Sequence, residues 1–289
     1  MRAWCVLAGT LLVSSMPALA SAAEDHPWAY SLRPMTLPAM TLAPEAGFNV
    51  NHYAFGPAEL NQFSWTAGAS FGILDDLSVE LIPLGFYHQV MSVDFGDFSD
   101  SDTDTDYHYM LAGATYRFLD GDVDLGTRFR FAVDSWANIY LNPSFLVRLK
   151  TEVVRLDTGV EFAVVIRDQS TVYSNSDVMV GLQGFGQWLN TPRAGIPVEL
   201  AFQIVDPFYL ALNTGLGVGD FTADDAGDTV FMPLGWGAGG TIPYDDDQPM
   251  VDIAAGFSFP LFLIGAAEED LPIEEFWQVG LKATGFIYL

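Results

Sequence analysis

Along most of its length this chain alternates apolar and polar residues with a period of two, the pattern of strands with one greasy and one wet face. The pattern is plainest after Asp120-Gly121-Asp122. There Val123, Leu125, Thr127, Phe129, Phe131 and Val133 fall on one side, and Asp124, Gly126, Arg128, Arg130 and Ala132 on the other. Asp-Gly predicts a tight hairpin turn at that point, because Gly accepts positive φ. Residues 63–73 repeat the pattern with Phe63, Trp65, Phe71 and Ile73 set against Ser64, Thr66, Gly68, Ser70 and Gly72. Residues 77–81 and 154–164 follow suit, with Glu80, Arg155, Asp157 and Glu161 on the polar side. A soluble sandwich buries such faces in a core, but repetition along nearly the whole chain predicts a β-barrel standing in a bilayer.

The expected fold class is therefore all-β, a transmembrane antiparallel up-and-down β-barrel of about twelve strands, with fourteen the alternative, at roughly 22 residues per strand and connection. Strands are predicted near 48–55, 63–73, 77–93, 107–119, 123–134, 139–150, 154–166, 178–187, 198–218, 230–241, 251–263 and 276–289. The stretch 198–218, interrupted at Asp206-Pro207, reads either as one long strand or as two joined by a very tight turn, and sidedness favours one crossing. At Pro83 the alternation slips by one, where a bulge tolerates a residue lacking an N–H. Residues 190–197 break the pattern. The polar stretches 94–106, 167–177 and 220–229 are expected as extracellular loops, since such barrels keep their periplasmic turns short.

The first residues change the picture by adding export. Arg2, an apolar run from about Trp4 to Val13, and small residues at 18–23 form a secretory signal peptide, cut after Ala20 or Ala23. Three segments follow: the signal at 1–23, a Pro- and Met-rich periplasmic lead-in at 24–44, and the barrel at 45–289. The single cysteine, Cys5, lies in the signal, so the exported chain holds neither a disulfide nor a thiolate metal site. With 37 acidic against 11 basic residues the net charge is −26, which argues against nucleic acid as a partner. Half the residues are hydrophobic, so the acidity does not mark disorder. The longest greasy run after the signal, about 257–267, contains Pro260 and is too short for a membrane helix. Signal, alternation and closed-sheet logic together place the chain in the outer membrane of a Gram-negative cell.

Candidate chemistry concentrates on consecutive strands. Arg117, Arg128, Arg130, Arg148, Lys150, Arg155 and Arg167 fall on four of them. Alternation points Arg128, Arg130, Arg148, Lys150 and Arg155 into the lumen, together with Glu80, Asp124, Asp157 and Glu161. These nine are the candidate selectivity residues: a positive wall beside carboxylates sets up a field across a water-filled constriction. The competing reading is that they neutralise one another in a closed barrel. Asp100, Asp102, Asp104 and Asp106 offer hard oxygen ligands, but the Gly and Glu of a calcium loop are missing, so a solvated acidic loop is expected and no metal site. No cofactor motif is present: there is no P-loop, no GxGxxG between strand and helix, and no HExxH. No catalytic constellation is visible, and the protein is not expected to be an enzyme. The alternative of a lipid hydrolase rests on His108 with Ser99 or Ser101 close in sequence. Trp28, Tyr30, Trp65, Trp136, Tyr140, Trp188, Trp236, Trp277 and Tyr288 are expected to form the interfacial girdles.

The final segment, FWQVGLKATGFIYL, resembles the closing strand of Gram-negative outer-membrane β-barrel proteins, porin-like in pattern, with Phe286 and Tyr288 in the aromatic places and Leu289 where Phe or Trp is usual. The resemblance implies recognition by the barrel-insertion machinery through that strand. The expected function is an outer-membrane pore for passive diffusion of small solutes, with a closed structural or surface-interaction barrel as the alternative. Outer-membrane lipid and lipopolysaccharide are the expected surroundings, in a monomer or weak oligomer.

Overall fold

A computed structural model describes residues 26–55, 58–94, 99–107, 109–134, 139–167, 179–182, 185–188, 193–218, 230–245, 248–264 and 276–289. The signal peptide and the greater part of the polar connections at 167–177 and 220–229 lie outside these residues. The strands are β1 (Thr41–Phe55), β2 (Ala58–Leu74), β3 (Leu77–Asp94), β4 (Ser99–Tyr107), β5 (Tyr109–Leu119), β6 (Val123–Asp134), β7 (Ile139–Lys150) and β8 (Val154–Arg167). They continue with β9 (Met179–Leu182), β10 (Phe185–Trp188), β11 (Arg193–Val205), β12 (Phe208–Val218), β13 (Val230–Asp245), β14 (Gln248–Ile264), β15 (Phe276–Gly285) and β16 (Ile287–Tyr288).

Twelve of these form a closed antiparallel barrel in the order β1-β2-β3-β5-β6-β7-β8-β11-β12-β13-β14-β15, and β15 returns to β1 from Glu45↔Thr284 to Tyr53↔Phe276. Closure removes the sheet edges, which is what a strand protein needs where no water is present to satisfy its backbone. After Phe286 the chain resumes as β16 against Thr41 and Leu42. Among the described residues no helix is long and apolar enough to cross a membrane, and the crossing is made by strands.

Four expectations need correction. The stretch 198–218 is two strands, β11 and β12, joined at Asp206-Pro207. The pattern break at 190–197 overlaps the start of β11, where Arg193 to Gly195 already pair with β8. The predicted strand at 178–187 is instead a small hairpin, β9 with β10, that among the described residues pairs only with itself. The acidic stretch 94–106 is not a loop throughout, because β4 runs antiparallel to the upper part of β3 from Phe86↔Tyr107 to Asp94↔Ser99. In addition, β1 opens at Thr41, inside the stretch read as lead-in.

The slip at Pro83 is a bulge: Ala67 pairs with Leu84 but Ala69 with Leu81, leaving one extra residue on β3. In the β5–β6 turn Gly121 has φ +146°, a value side-chain-bearing residues rarely adopt. The links at 75–76, 120–122, 151–153 and 206–207, with the start of β1 and the end of β16, lie at one rim. By the rule that periplasmic turns are short, this rim is periplasmic.

The outer surface is apolar in mid-strand. Trp65, Phe118, Phe129, Phe145, Phe162, Leu210, Leu212, Trp236, Val279 and Leu281 are exposed, while their chain neighbours of opposite parity point inward. A soluble protein does not display such a band, and a bilayer covers it. The interior is polar: Asn51, Gln62, Ser64, Asp124, Arg128, Arg130, Ser144, Arg155, Ser258 and Gln278 are buried there.

Candidate pore and its N-terminal closure

The inner wall has two unlike arcs. On β3, β6, β7, β8 and β11 it carries charge, and the nine residues selected from alternation all face inward, in ion pairs. Arg130 holds Glu80 by two bonds, Nε–Oε1 at 2.6 Å and Nη2–Oε2 at 3.0 Å. Arg148 grips Asp157 likewise, at 2.6 and 2.9 Å. Arg128 pairs with Glu161, and Lys150 with Asp124 at 2.9 Å. Arg155 reaches both Glu199 at 2.8 Å and Asp157 at 3.1 Å. Thus the expected positive wall is corrected to a neutralised one: each of these five cations has a carboxylate within bonding distance, and the bidentate geometry fixes the guanidinium planes. Arg117, also buried, sits at the rim between Asp76 and Asp120, each at 3.0 Å.

The other arc is mostly small and neutral. Ala211 and Asn213 on β12, Gly237 and Gly239 on β13, Ala254 and Gly256 on β14, Gly280 on β15, and Gly47 and Asn49 on β1 line it. Its charged members are Asp252 and the pair Lys282–Glu45 at 2.8 Å, where Lys282 keeps half of its side chain exposed. A cavity of about 360 Å³ lies against the charged arc and one of about 340 Å³ against the neutral arc. Tyr30, Glu45, Glu199, Asn213, Lys282 and Thr284 border both.

Twelve strands enclose more space than their own side chains fill, yet less than the 16–18 strands of a water-filled porin. At the periplasmic rim that surplus space is taken by residues 26–40, the lead-in. It is polar backbone in a confined place, and its groups are satisfied by the barrel wall. Arg148 Nη1 donates to the carbonyls of Arg33 and Pro34 at 3.2 and 2.6 Å, and Arg155 Nη1 to that of Tyr30 at 3.1 Å. The Met35 N–H donates to Asp124 Oδ2 at 2.9 Å, and the Ala39 N–H to Asp75 Oδ1 at 2.8 Å. Gly72 lies under the segment, and a Cβ there would collide with the Pro38 carbonyl oxygen.

Arg33 is the segment's own anchor. It is buried, pairs with Asp252, donates to Thr241 Oγ1 at 2.7 Å and closes back on the carbonyls of Pro27 and Trp28 at 3.0 and 2.7 Å. Tyr30 forms a short 3-10 turn, Tyr30–Leu32, and its ring stacks on Tyr209 with centroids 3.8 Å apart. On that ring the Arg155 guanidinium sits at 3.6 Å, while the hydroxyl donates to Glu199 at 3.1 Å. Burial pushes the Tyr30 hydroxyl well above the usual phenol range, so it remains a donor. At the far end His26 meets Phe286 edge-on at 4.9 Å and the Tyr288 hydroxyl at 3.1 Å. Burial, and then the Arg33 charge, lower its pKa to about 3, so His26 is neutral.

Sequence reasoning missed Arg33, Glu45, Glu199, Asp252 and Lys282, and it misplaced three aromatics. Tyr30 and Tyr140 point into the barrel, and Tyr288 meets the lead-in, so none of the three is a girdle ring. The side chains of Trp136 and Trp188 and the whole of His108 lie outside what is described. Among the described residues no group of His, Cys, Asp and Glu is arranged to hold a metal.

Closed strand order, apolar exterior and polar, ion-paired interior define a transmembrane β-barrel of the outer-membrane kind. The chain is similar in outline to several solved barrels. The translocator domain of autotransporter NalP from Neisseria meningitidis matches over 100% of this chain and 97% of that one, at 10% identity and TM-score 0.48. OccD3 (OpdP) from Pseudomonas aeruginosa matches over 96% and 97%, at 10% identity and TM-score 0.35. A FadL homologue from the same organism matches over 85% and 89%, at 9% identity and TM-score 0.39. Likeness this distant does not bear on function, and the architecture stands on the strand pairing itself. No protein-family model matches the chain, and no curated protein matches it by sequence.

Proposed function

We propose that this protein is an outer-membrane channel for small polar solutes, passive in mechanism and closed at its periplasmic mouth by its own residues 26–40. The observation that carries the reading is the interior: two adjoining cavities with common lining residues, one against the fixed ion pairs and the other against small, mostly apolar residues. Small residues leave room along one wall, and paired charges on the other present local fields with little net charge. Such a lumen discriminates weakly between cations and anions and suits neutral or dipolar solutes. The closure is held by polar contacts, which water replaces at modest net cost, and not by a continuous apolar core.

Reversal potentials across a planar bilayer holding the refolded mature protein test this. A permeability ratio near one for K⁺ and Cl⁻, shifted toward cations by Arg130→Met, supports the paired-wall channel. A folded barrel that passes no current, with or without its lead-in, overturns it. The anchoring of Arg33 and Arg148 favours a second reading, a permanently closed structural barrel, which predicts that second result. The channel reading is of a protein that is not an enzyme, so lipid turnover lost on His108→Ala would displace it.

A further inference from the structure

We infer that the Tyr30 socket is a solute-binding site for planar phenols, occupied at rest by the protein's own tyrosine. The inference rests on the channel reading above and assigns it a ligand class. Tyr30 belongs to the lead-in, not to the sheet, yet its nearest ring and hydroxyl partners are supplied by the barrel, with Arg33 of the lead-in farther off at 5.6 Å. Tyr209, on β12, gives a parallel face 3.8 Å away with an interplanar angle of 4°. Arg155, on β8, gives a cation over the opposite face at 3.6 Å. Glu199, on β11, accepts from the hydroxyl at 3.1 Å.

Tyr30 also accepts from Arg155 Nη1 through its carbonyl at 3.1 Å, but the wall has partners of its own. Arg155 is held by Glu199 and Asp157. Gly239 lies behind Tyr209, where any Cβ would strike the Tyr209 ring, so the wall is kept flat to let that ring lie along it. What remains when Tyr30 leaves is a slot between an aromatic face and a guanidinium, with a carboxylate at its end. Such a slot selects a flat ring by stacking and cation–π attraction, and a ring hydroxyl by the carboxylate.

A second observation points to an outside ligand. Arg155 is buried, and its Nε has no hydrogen-bond partner among the described residues, although an unmet buried donor is costly. Tyr30 leaves that donor unmet. A phenol bearing a further acceptor oxygen satisfies it and so gains an advantage over the tethered tyrosine. Tyr30 also borders both cavities, so its displacement joins them. Ligand entry and opening are then one event.

The test uses the full mature chain, refolded in detergent, with p-cresol as probe and toluene as the ring without a hydroxyl. Calorimetric titration of Tyr30→Ala should show p-cresol binding about tenfold or more tighter than toluene, and tighter than to wild type, where Tyr30 competes. Glu199→Gln in the same background should remove most of that preference. Equal binding of p-cresol and toluene, or binding to Tyr30→Ala no tighter than to wild type, overturns the inference. Should Tyr30→Ala not fold, Tyr30→Phe keeps the ring and loses only the hydroxyl. Less p-cresol should then be needed to raise its conductance than for wild type, and an unchanged requirement overturns the inference. Conductance raised by Tyr30→Ala without p-cresol binding sinks the site and leaves the channel standing. Selective p-cresol binding to a barrel that never conducts does the reverse.

Discussion

Replacing Arg33 by Met tests whether the lead-in is held by a specific buried anchor. The side chain is 6% exposed and its partner Asp252 13%, so solvent screens the pair little. Removing the cation leaves the Asp252 carboxylate and the Thr241 hydroxyl facing a thioether. It also frees the Pro27 and Trp28 carbonyls. Breaking a buried pair from one side costs about 3–5 kcal/mol. Nearly all of it falls on docking of residues 26–40, because the strands around Asp252 keep their own ladder bonds. At 1.4 kcal/mol per decade the undocked population rises roughly 10²- to 4 × 10³-fold. Amide exchange of the reconstituted barrel reads this directly at Ser31, Met35 and Ala39, whose N–H groups bond Gln203, Asp124 and Asp75. Adding Asp252→Leu should restore part of the protection, since an apolar pair replaces the stranded charge. Unchanged exchange at these three amides, in a variant that still migrates as a folded barrel, would refute the reasoning.

Other predictions follow from the same contacts. Gly72→Val drives a side chain into the Pro38 carbonyl and should loosen residues 36–40 while leaving the β2–β3 hairpin formed, as seen by exchange at Ala39 against that at Phe71. Arg130→Met strands Glu80 and should lower barrel stability by about 3–5 kcal/mol in urea unfolding, with the selectivity shift described above. His26 binds its proton with a pKa of about 3 when docked against about 6.5 when free, so the released form takes up protons first and docking weakens as pH falls through that window. At pH 5 the loss is about 2 kcal/mol, and conductance should rise between pH 7 and 5 in wild type but far less in His26→Phe. On the lipid face, Phe129→Lys should cost about 2–4 kcal/mol in bilayer refolding, whereas the same change at Thr105, on β4, should cost little.

Much of this architecture is legible in the sequence because a barrel strand writes its two environments on alternate residues. Arg128, Arg130, Arg148, Arg155, Asp157 and Glu161 could be assigned to the interior from parity alone. Counting twelve strands from alternation alone involves two compensating misreadings: 178–187 adds a strand, and 198–218 hides one. Both have one physical cause, since alternation reports a face and not a neighbour, and a two-residue turn at Asp206-Pro207 hardly interrupts the period. β4 escaped because its Asp-rich, Thr-rich pattern lacks a greasy face. The closure was not legible, because residues 26–40 have no period. Their partners Asp124, Arg148, Arg155 and Asp252 are distant in sequence, and only barrel closure brings β15, with β14 behind it, round to β1. The aromatic misplacements follow from the same gap: an inward ring and a girdle ring look alike until it is known that something lies inside.

The account stands most directly on single-channel conductance of the mature protein beside a version lacking residues 26–40, both refolded and shown to be folded. The wild type is predicted to dwell in a low-conductance state with brief openings, and the shortened barrel to hold a steady, larger, weakly selective conductance. Identical traces from the two proteins, whether silent or conducting, would contradict it.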